Sequence, residues 1–264
     1  MTLTPVHHDE ISYPDFEKSF WAASDTNRGH EWRRQHQVTC LPGTVDPVVS
    51  FQEFRTVFGD VLYTKIEKKG FTSPTLVQSQ TLPVALAGMD ALVTASTGSG
   101  KTLAYVWPMV VHIVHQVPLD KDETGPMAIV LVPTRELALQ VHKHVKGMLS
   151  CDYTSLAITG GTSNYHLLQD LRKGGGCHAV VATPGRLLDL LAKKKGLSLG
   201  RITFCVLDEC DKMLDMGFES QVTEILKNVR PDRQSLLLSA TMGHKVERLA
   251  RQWLNDPVRY ESKY

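Results

Sequence analysis

From Phe51 onward the chain alternates short apolar runs with longer segments of helical spacing, and that alternation leaves few folds open. The apolar runs lie at 91–95, 128–132, 155–159, 179–182, 204–207 and 235–238. Between them the spacing predicts helices near 60–69, 75–87, 101–115, 135–149, 163–172, 185–195, 217–229 and 244–254. Strands that are apolar on both faces, each followed by a helix, predict an α/β fold with a mostly parallel sheet covered by helices on both sides. Right-handed crossovers then put ligands at the carboxyl ends of the strands. The sequence divides into an α/β domain over 51–258 and a flank over 1–50, extended or partly ordered. The flank is polar, carries Pro5, Pro14, Pro42 and Pro47, and scatters Tyr13, Phe16, Phe20, Trp21 and Trp32. Such a segment lies on something else rather than folding alone. The polar stretch 117–126 reads as an exposed loop and 174–176 as a turn.

Composition excludes little at the scale of the whole chain. Twenty-nine Lys and Arg against 28 Asp and Glu leave a net charge of +1, so bulk charge names no partner. Local charge is more informative: residues 172–201 hold Arg172, Lys173, Arg186, Lys193, Lys194, Lys195 and Arg201 against Asp189 alone. Residues 203–224 hold Asp208, Glu209, Asp211, Asp215, Glu219 and Glu224 against Lys212 alone. A basic stretch followed by an acidic one suits a protein that holds phosphates in one place and a divalent cation in another. The five cysteines form no CxxC pair, which argues against zinc and for reduced, buried thiols in an intracellular protein. No apolar run reaches the roughly 18 residues of a membrane span, and the first dozen residues lack a signal-peptide core. His112 with His115, and His142 with His144, read as solvent-facing or capped rather than metal ligands. The Met and Leu stripe in 213–226 reads as core, and Lys193–Lys195 as a solvated helix end.

Two short segments carry chemistry. Ala95-Ser-Thr-Gly-Ser-Gly-Lys-Thr102 follows an apolar strand and opens an amphipathic helix, the context of a phosphate-binding loop. Its glycines allow the backbone N–H groups to curl onto phosphate oxygens. Lys101 would reach the outer phosphates, and the Thr102 hydroxyl would ligate Mg²⁺. Gly-Ser-Gly is also a flexible turn, and the loop begins with Ala95 where the general signature has glycine. The second segment, Asp208-Glu209-Cys210-Asp211, follows the apolar run 204–207. Carboxylates just after a buried strand are costly unless neutralised. A Mg²⁺ shared by phosphates and Asp208 would do so, leaving Glu209 to orient or deprotonate water. An acid-rich helix N-terminus is the other reading of those residues.

With these in place the sequence resembles the DEAD-box RNA helicases over residues 51 to 257. Gly70-Phe71 with Pro74-Thr75-Leu76-Val77-Gln78 resembles the family's adenine-reading glutamine motif. Ala95–Thr102 matches its form of the phosphate loop, starting alanine included. Pro133-Thr134-Arg135-Glu136-Leu137-Ala138, Gly160-Gly161 and Thr183-Pro184-Gly185-Arg186 match its RNA-contacting motifs. Asp208–Asp211 matches the name-giving tetrapeptide, with Cys210 where alanine is usual, and Ser239-Ala240-Thr241 the motif that links ATP to RNA. Ser96 stands where glutamine is common and Leu76 where proline is. The upstream aromatic of the adenine motif is Phe51 or Phe54. Tyr13–Phe20, Asp215–Phe218 and Arg230–Gln234 resemble splicing-associated members.

The resemblance implies a RecA-like domain using ATP and Mg²⁺. Phe71 would stack on adenine and the Gln78 amide pair with its edge; Thr75, Ser96, Thr97, Gly98, Ser99, Gly100, Lys101 and Thr102 complete the nucleotide set. Lys101, Asp208 and Glu209 would be catalytic, and Thr102 and Asp208 the metal ligands. Pro133, Thr134, Arg135, Gly160, Gly161, Thr183, Gly185 and Arg186 would hold the RNA backbone without reading sequence. Ser239 and Thr241 would bond the acidic cluster at Asp211 and couple nucleotide state to RNA. Implied partners are RNA, a second RecA-like domain and splicing factors, in the nucleus, with no membrane. The family's arginine finger lies on that second domain and is worth about 10³–10⁵ in turnover; this chain alone is expected to bind ATP weakly and hydrolyse it hardly at all. An ATP-gated RNA clamp or scaffold, and a phosphate-loop kinase or NTPase without RNA, are the rival readings.

Overall fold

The computed structural model describes residues 2–43, 45–120, 123, 125–161, 176–192 and 197–262. The helix expected at 163–172 and Lys193, Lys194 and Lys195 lie outside the described residues. In chain order the elements are α1 Asn27–Gln35, β1 Val38–Leu41, α2 Arg55–Lys68, α3 Leu76–Leu86, β2 Ala91–Thr94, α4 Lys101–Val114, β3 Ala128–Leu131, α5 Arg135–Met148 and β4 Ser155–Ile158. They continue with β5 Ala179–Ala182, α6 Pro184–Ala192, β6 Phe204–Leu207, α7 Cys210–Asp215, α8 Glu219–Lys227, β7 Gln234–Ser239, α9 His244–Trp253 and β8 Val258–Ser262. The chain divides into two compact units, one of Glu17–Val114 with Gln234–Tyr264 and one of Met1–Phe16 with His115–Arg233.

In the first unit the strand order is β1-β8-β2-β7. β2 pairs in parallel with β7 and β8, so that Thr94 lies level with Ser239 and Glu261. β1 pairs antiparallel with β8, Val38 opposite Ser262 and Leu41 opposite Arg259. The stretch expected as an extended or partly ordered flank thus holds a helix and an edge strand. The run 258–262 also carries the sheet past the end expected at 258. Its buried Val258 and Tyr260 alternate with the more exposed Arg259 and Glu261, a period-two pattern too short to register beside the continuous apolar runs. α3 is buried along almost its whole length, its polar Gln78, Ser79, Gln80 and Thr81 included. α2 contains a break at Gly59, whose φ of 65° is open to glycine; the regular part beyond it is the helix expected from residue 60.

Aromatic packing fills this unit's core. Trp107 is fully buried, and its ring meets Phe51 at 5.0 Å, Phe58 at 5.9 Å and Phe71 at 5.6 Å. Edge-on pairs of this kind contribute about 0.5–1.5 kcal/mol each beyond their burial. His112 is buried at 1% exposure with the Phe20 ring edge-on at 6.5 Å, so it is a core residue and does not face solvent. His142 is capped: its Nε2 lies 3.1 Å from the Ser155 carbonyl.

In the second unit the order is β6-β3-β5-β4, all parallel. Leu131 lies level with Leu207 and Ala182, and Ala182 with Ile158. Met213, Leu214, Val222, Ile225 and Leu226 are buried, as the stripe predicts, whereas Met216 is 53% exposed. The N-terminal residues are fastened here by Arg230, itself 1% exposed. Its guanidinium lies between the Tyr13 ring at 4.6 Å and the Phe16 ring at 4.9 Å. It also donates to the Pro14 carbonyl and grips both oxygens of Asp232. Cys177, Cys205 and Cys210 are buried free thiols in this unit, and Cys151 is exposed. No helix among the described residues is long and apolar enough to cross a membrane.

α9 is tied to β8 by Glu247, which takes two bonds from Arg259 at 2.8 and 3.0 Å and one from Arg251 at 3.0 Å. These donors, Arg259 first, hold its carboxyl at about 2, below its usual 4.5. Because the folded value is the lower one, the stabilisation is complete above the unfolded value and disappears as pH falls from about 4.5 towards 2. Glu247→Gln is therefore expected to lower the melting temperature by about 2 °C at pH 7, solvent screening keeping the effect small. Calorimetry across pH checks this: the difference from wild type should shrink steadily below pH 4.5.

Candidate functional site

The phosphate loop occupies the turn between β2 and α4 in the first unit. The Ala95 N–H donates to the Ser239 carbonyl at 3.1 Å, so the loop starts where β2 and β7 end together. Gly98 and Gly100 take φ values of +81° and +96°, which side chains rarely adopt. Gly100 has a second reason to lack a side chain, since a Cβ there would stand 2.7 Å from Gln78 Nε2 and 2.9 Å from Thr75 Oγ1. Lys101 opens α4, 8% exposed, and its ammonium donates to the carbonyls of Ala95 and Ser96 at 2.5 and 2.7 Å. The Ser99 hydroxyl closes the turn on Ser96 O at 2.8 Å. A helix N-terminus, a buried lysine inside the loop and a cavity of about 380 Å³ lined by Thr75, Leu76, Ser96–Ser99 and Tyr260 suit a phosphate chain. Thr102, half-buried in the first turn, offers its hydroxyl to a metal.

The glutamine motif is built onto the same loop. Thr75 caps α3, and the Gln78 carbonyl oxygen accepts from Thr75 N at 3.1 Å while its Nε2 donates to Gly100 O at 3.1 Å. Gln78 is 4% exposed. Each end of an amide can make two hydrogen bonds, so these bonds use half of its capacity and lock it beside the phosphate loop. Phe71 packs edge-on against Trp107. Phe51 touches that same indole, whereas Phe54 stacks on Phe58 at 5.0 Å. Ser239, fully buried, donates its hydroxyl to Thr241 O at 2.7 Å.

In the second unit the remaining motif residues leave one sheet edge together. Asp208 N donates to Leu131 O, Val132 N to Ala182 O, and Thr183 N to Ile158 O. Pro133, Asp208, Thr183 and Gly160 therefore follow strands that end in register. Asp208 is 3% exposed and its Oδ1 accepts the Glu209 N–H at 2.9 Å. Glu209 stands in left-handed backbone, φ 52° and ψ 49°, a costly state for a non-glycine residue that clusters at functional sites. That turn lets α7 begin one residue after the strand's acids, and Glu209 pairs with Lys212 at 3.0 Å. Cys210 is fully buried, its thiol 3.2 Å from Leu207 O, so the departure from alanine keeps a small side chain there. Asp211 is half-buried on the first turn of α7.

Thr134 caps α5 by accepting from Leu137 N at 3.3 Å. The exposed Arg135 reaches across to the Gly160 carbonyl. Gly161, φ +78°, lies so close that a Cβ would come within 2.0 Å of Arg135 Nη1. Pro184 begins α6, with Thr183 ahead of it, Gly185 against Gln221 and Arg186 half-buried in the first turn. Pro133, Thr134, Arg135, Gly160 and Gly161 form one cluster, and Thr183, Gly185 and Arg186 begin the neighbouring helix. Tyr260 and Ser262, which line the phosphate-loop cavity, were not legible as site residues. Among the described residues no group of three His, Cys, Asp or Glu side chains could hold a metal by itself. A magnesium here would depend on phosphate oxygens besides Thr102 or Asp208.

The two loop glycines separate conformational strain from crowding. Gly98→Ala, with nothing within 4 Å of the added Cβ, is expected to cost about 1 kcal/mol from its positive φ alone. Gly100→Ala adds a collision with Gln78 and Thr75 and is expected to cost about 2–3 kcal/mol. Urea denaturation of both variants measures the difference.

Comparison with known proteins places the chain. The model of the DEAD/DEAH box helicase family matches residues 75–249. Human ATP-dependent RNA helicase DDX42 is 42% identical over 263 residues, 97% of this chain and 28% of its own length. DEAD-box ATP-dependent RNA helicase 24 of Oryza sativa is also 42% identical, over 97% of this chain and 34% of its own. The chain thus spans about a third or less of these two relatives. Among solved structures, the yeast DEAD-box splicing factor Prp28 superposes with a TM-score of 0.81 at 34% identity, over 90% of this chain and 56% of that one. A DEAD box protein from Methanococcus jannaschii gives 0.71 at 32% identity, over 81% and 56%. A family match across well over half the chain, on the same residues that build the two loops, makes this protein a member of the DEAD/DEAH box helicase family.

Proposed function

We propose that this chain is the ATP-binding motor domain of an ATP-dependent RNA helicase. The observation that carries the reading is the phosphate loop, with Lys101 buried at its centre and Gln78 bonded to Gly100 beside it. Lys101 exchanges the Ala95 and Ser96 carbonyls for β- and γ-phosphate oxygens, Thr75 and Ser96–Ser99 surround the chain, and Gln78 and Phe71 select adenine. Magnesium, when bound, neutralises phosphate charge. Thr102 and Asp208 would be its protein ligands, as the family resemblance implies, and Glu209 would orient the attacking water and take its proton. Such a role suits a carboxylate held by backbone geometry beside a buried acid.

Arg135, held at the end of the Gly160-Gly161 turn, and Arg186 at the start of α6 serve the RNA backbone with Pro133, Thr134, Thr183 and Gly185. Contacts of this kind carry no base information, so binding is sequence-independent. Ser239 and Thr241 couple the nucleotide to RNA through Asp211, which requires the Ser239 hydroxyl to turn from Thr241 O. In the whole protein a second RecA-like domain would supply the arginine finger, and ATP binding and hydrolysis would drive local duplex unwinding or remodelling of RNA–protein assemblies. The likeness to a splicing factor supports work with splicing partners in the nucleus.

Equilibrium binding to the 264-residue chain tests the reading. ATP should bind tighter than GTP, Gln78→Ala should bring the two affinities together, and Lys101→Ala should weaken both by about tenfold or more, as loss of a charged hydrogen-bonding group does. Equal affinity of the wild type for ATP and GTP would sink the adenine-selective motor.

A further inference from the structure

Residues 25–48 of the flank do more than cover the first unit: they are bonded to the two residues that follow Gln78. Val48 N donates to Ser79 O at 2.9 Å. The Gln80 side chain, fully buried, donates to Val45 O at 2.7 Å. Arg33, 6% exposed, donates from Nη1 to both Val45 O and Gln80 Oε1 at 3.2 Å. Its other arm reaches Asp25 at 2.6 Å. The segment carrying Val45 is in turn fastened to α1, since Asp46 takes the N–H and hydroxyl of Thr26 at 2.9 and 2.7 Å. Gly29 lies against that carboxylate, where a Cβ would come within 2.1 Å of Asp46 Oδ1.

These bonds converge on one side chain. A buried guanidinium is retained only where its donors are satisfied, and Arg33 spends its donors on both sides of a short strap whose far side is the first turn of α3. A planar fork does this and an ammonium cannot. The first turn of α3 also carries Gln78 and the capping bond to Thr75. Holding Ser79 and Gln80 fixes the rotation of that turn, and with it the direction of the Gln78 amide towards Gly100.

We propose that Arg33 is a positioning residue for nucleotide selectivity, acting through Gln80 and Val45 to orient Gln78. The inference rests on the ATP reading above. Its reach is limited to the base: phosphate binding by the loop should not depend on it. Removing a hydrogen bond of this kind changes an affinity ratio by about three- to tenfold.

The test compares ATP, GTP and inorganic tripolyphosphate, each with magnesium, on wild type, Arg33→Lys and Gln80→Met. The two variants break the Arg33–Gln80 bond from opposite ends, and a cooperative thermal transition shows that each is folded. If Arg33→Lys fails to fold, Gln80→Met alone decides. The expected result is a three- to tenfold loss of the ATP-over-GTP ratio with tripolyphosphate affinity unchanged. Three outcomes would overturn the role: an unchanged ratio, an equal fall for all three ligands, or loss of tripolyphosphate binding alone. Failure of the underlying reading looks different, because wild type itself would then show no preference for ATP.

Discussion

A parallel ladder runs its strands the same way, so the segments that follow them all leave from one edge of the sheet. In the second unit Leu131, Ala182, Ile158 and Leu207 end in register, and the residues one to four positions further on are Asp208, Pro133, Arg135, Thr183 and Gly160. In the first unit Thr94 and Ser239 end together, and the phosphate loop and the Ser239–Thr241 turn start side by side. No long-range instruction is needed to gather the motifs. Fixing the register of a few four-residue strands brings together loops that are scattered along the chain.

That economy shifts the cost onto the turns. Each must reverse direction within a few residues, and the strain collects at named positions: Gly98 and Gly100 in the phosphate loop, Gly161 beside Arg135, and Glu209 before α7. Three of the four are glycines, for which left-handed backbone carries little penalty. Glu209 is the exception. Its carboxylate cannot be given up for conformational ease, and its backbone stays left-handed with the side chain tied to Lys212 and its N–H to Asp208.

The central strands and most helices were legible in the sequence because a strand buried on both faces is a continuous apolar run, and those runs ended within a residue of 91–94, 128–131, 155–158, 179–182, 204–207 and 234–239. The edge strands β1 and β8 were not. β1 is only alternately buried and sits in a proline-bearing polar stretch, while β8 follows Pro257 and mixes Arg259 and Glu261 with Val258 and Tyr260. What makes them strands is the neighbour each pairs with, a tertiary fact that local pattern does not carry. The same holds at the site. Lys101 and Asp208 could be named from their local motifs and Gln78 from the family resemblance, but Tyr260 reaches the loop through strand pairing, and Arg33 reaches Gln80 across 47 residues. His112 misled because a histidine two residues from a helix end resembles a surface group, while the Phe20 ring that packs on it comes from the flank.

Three of the site's polar side chains are bonded within the protein: Lys101 to two loop carbonyls, Gln78 to Thr75 and Gly100, Ser239 to Thr241. Buried donors and acceptors left unpaired would cost about 1–3 kcal/mol each, so this self-pairing keeps the loop folded. It would also set the terms on which the proposed nucleotide binds. A phosphate that captures Lys101 displaces bonds to Ala95 and Ser96, and the gain is the difference between two charged interactions of about 1.5–3 kcal/mol rather than the whole of one. A small difference per contact makes affinity depend on many contacts formed together. Interactions that hold the cradle in one geometry, such as the bond from the Ser99 hydroxyl to Ser96 O, then matter as much as those that touch the ligand, because they decide whether the small gains arrive at once.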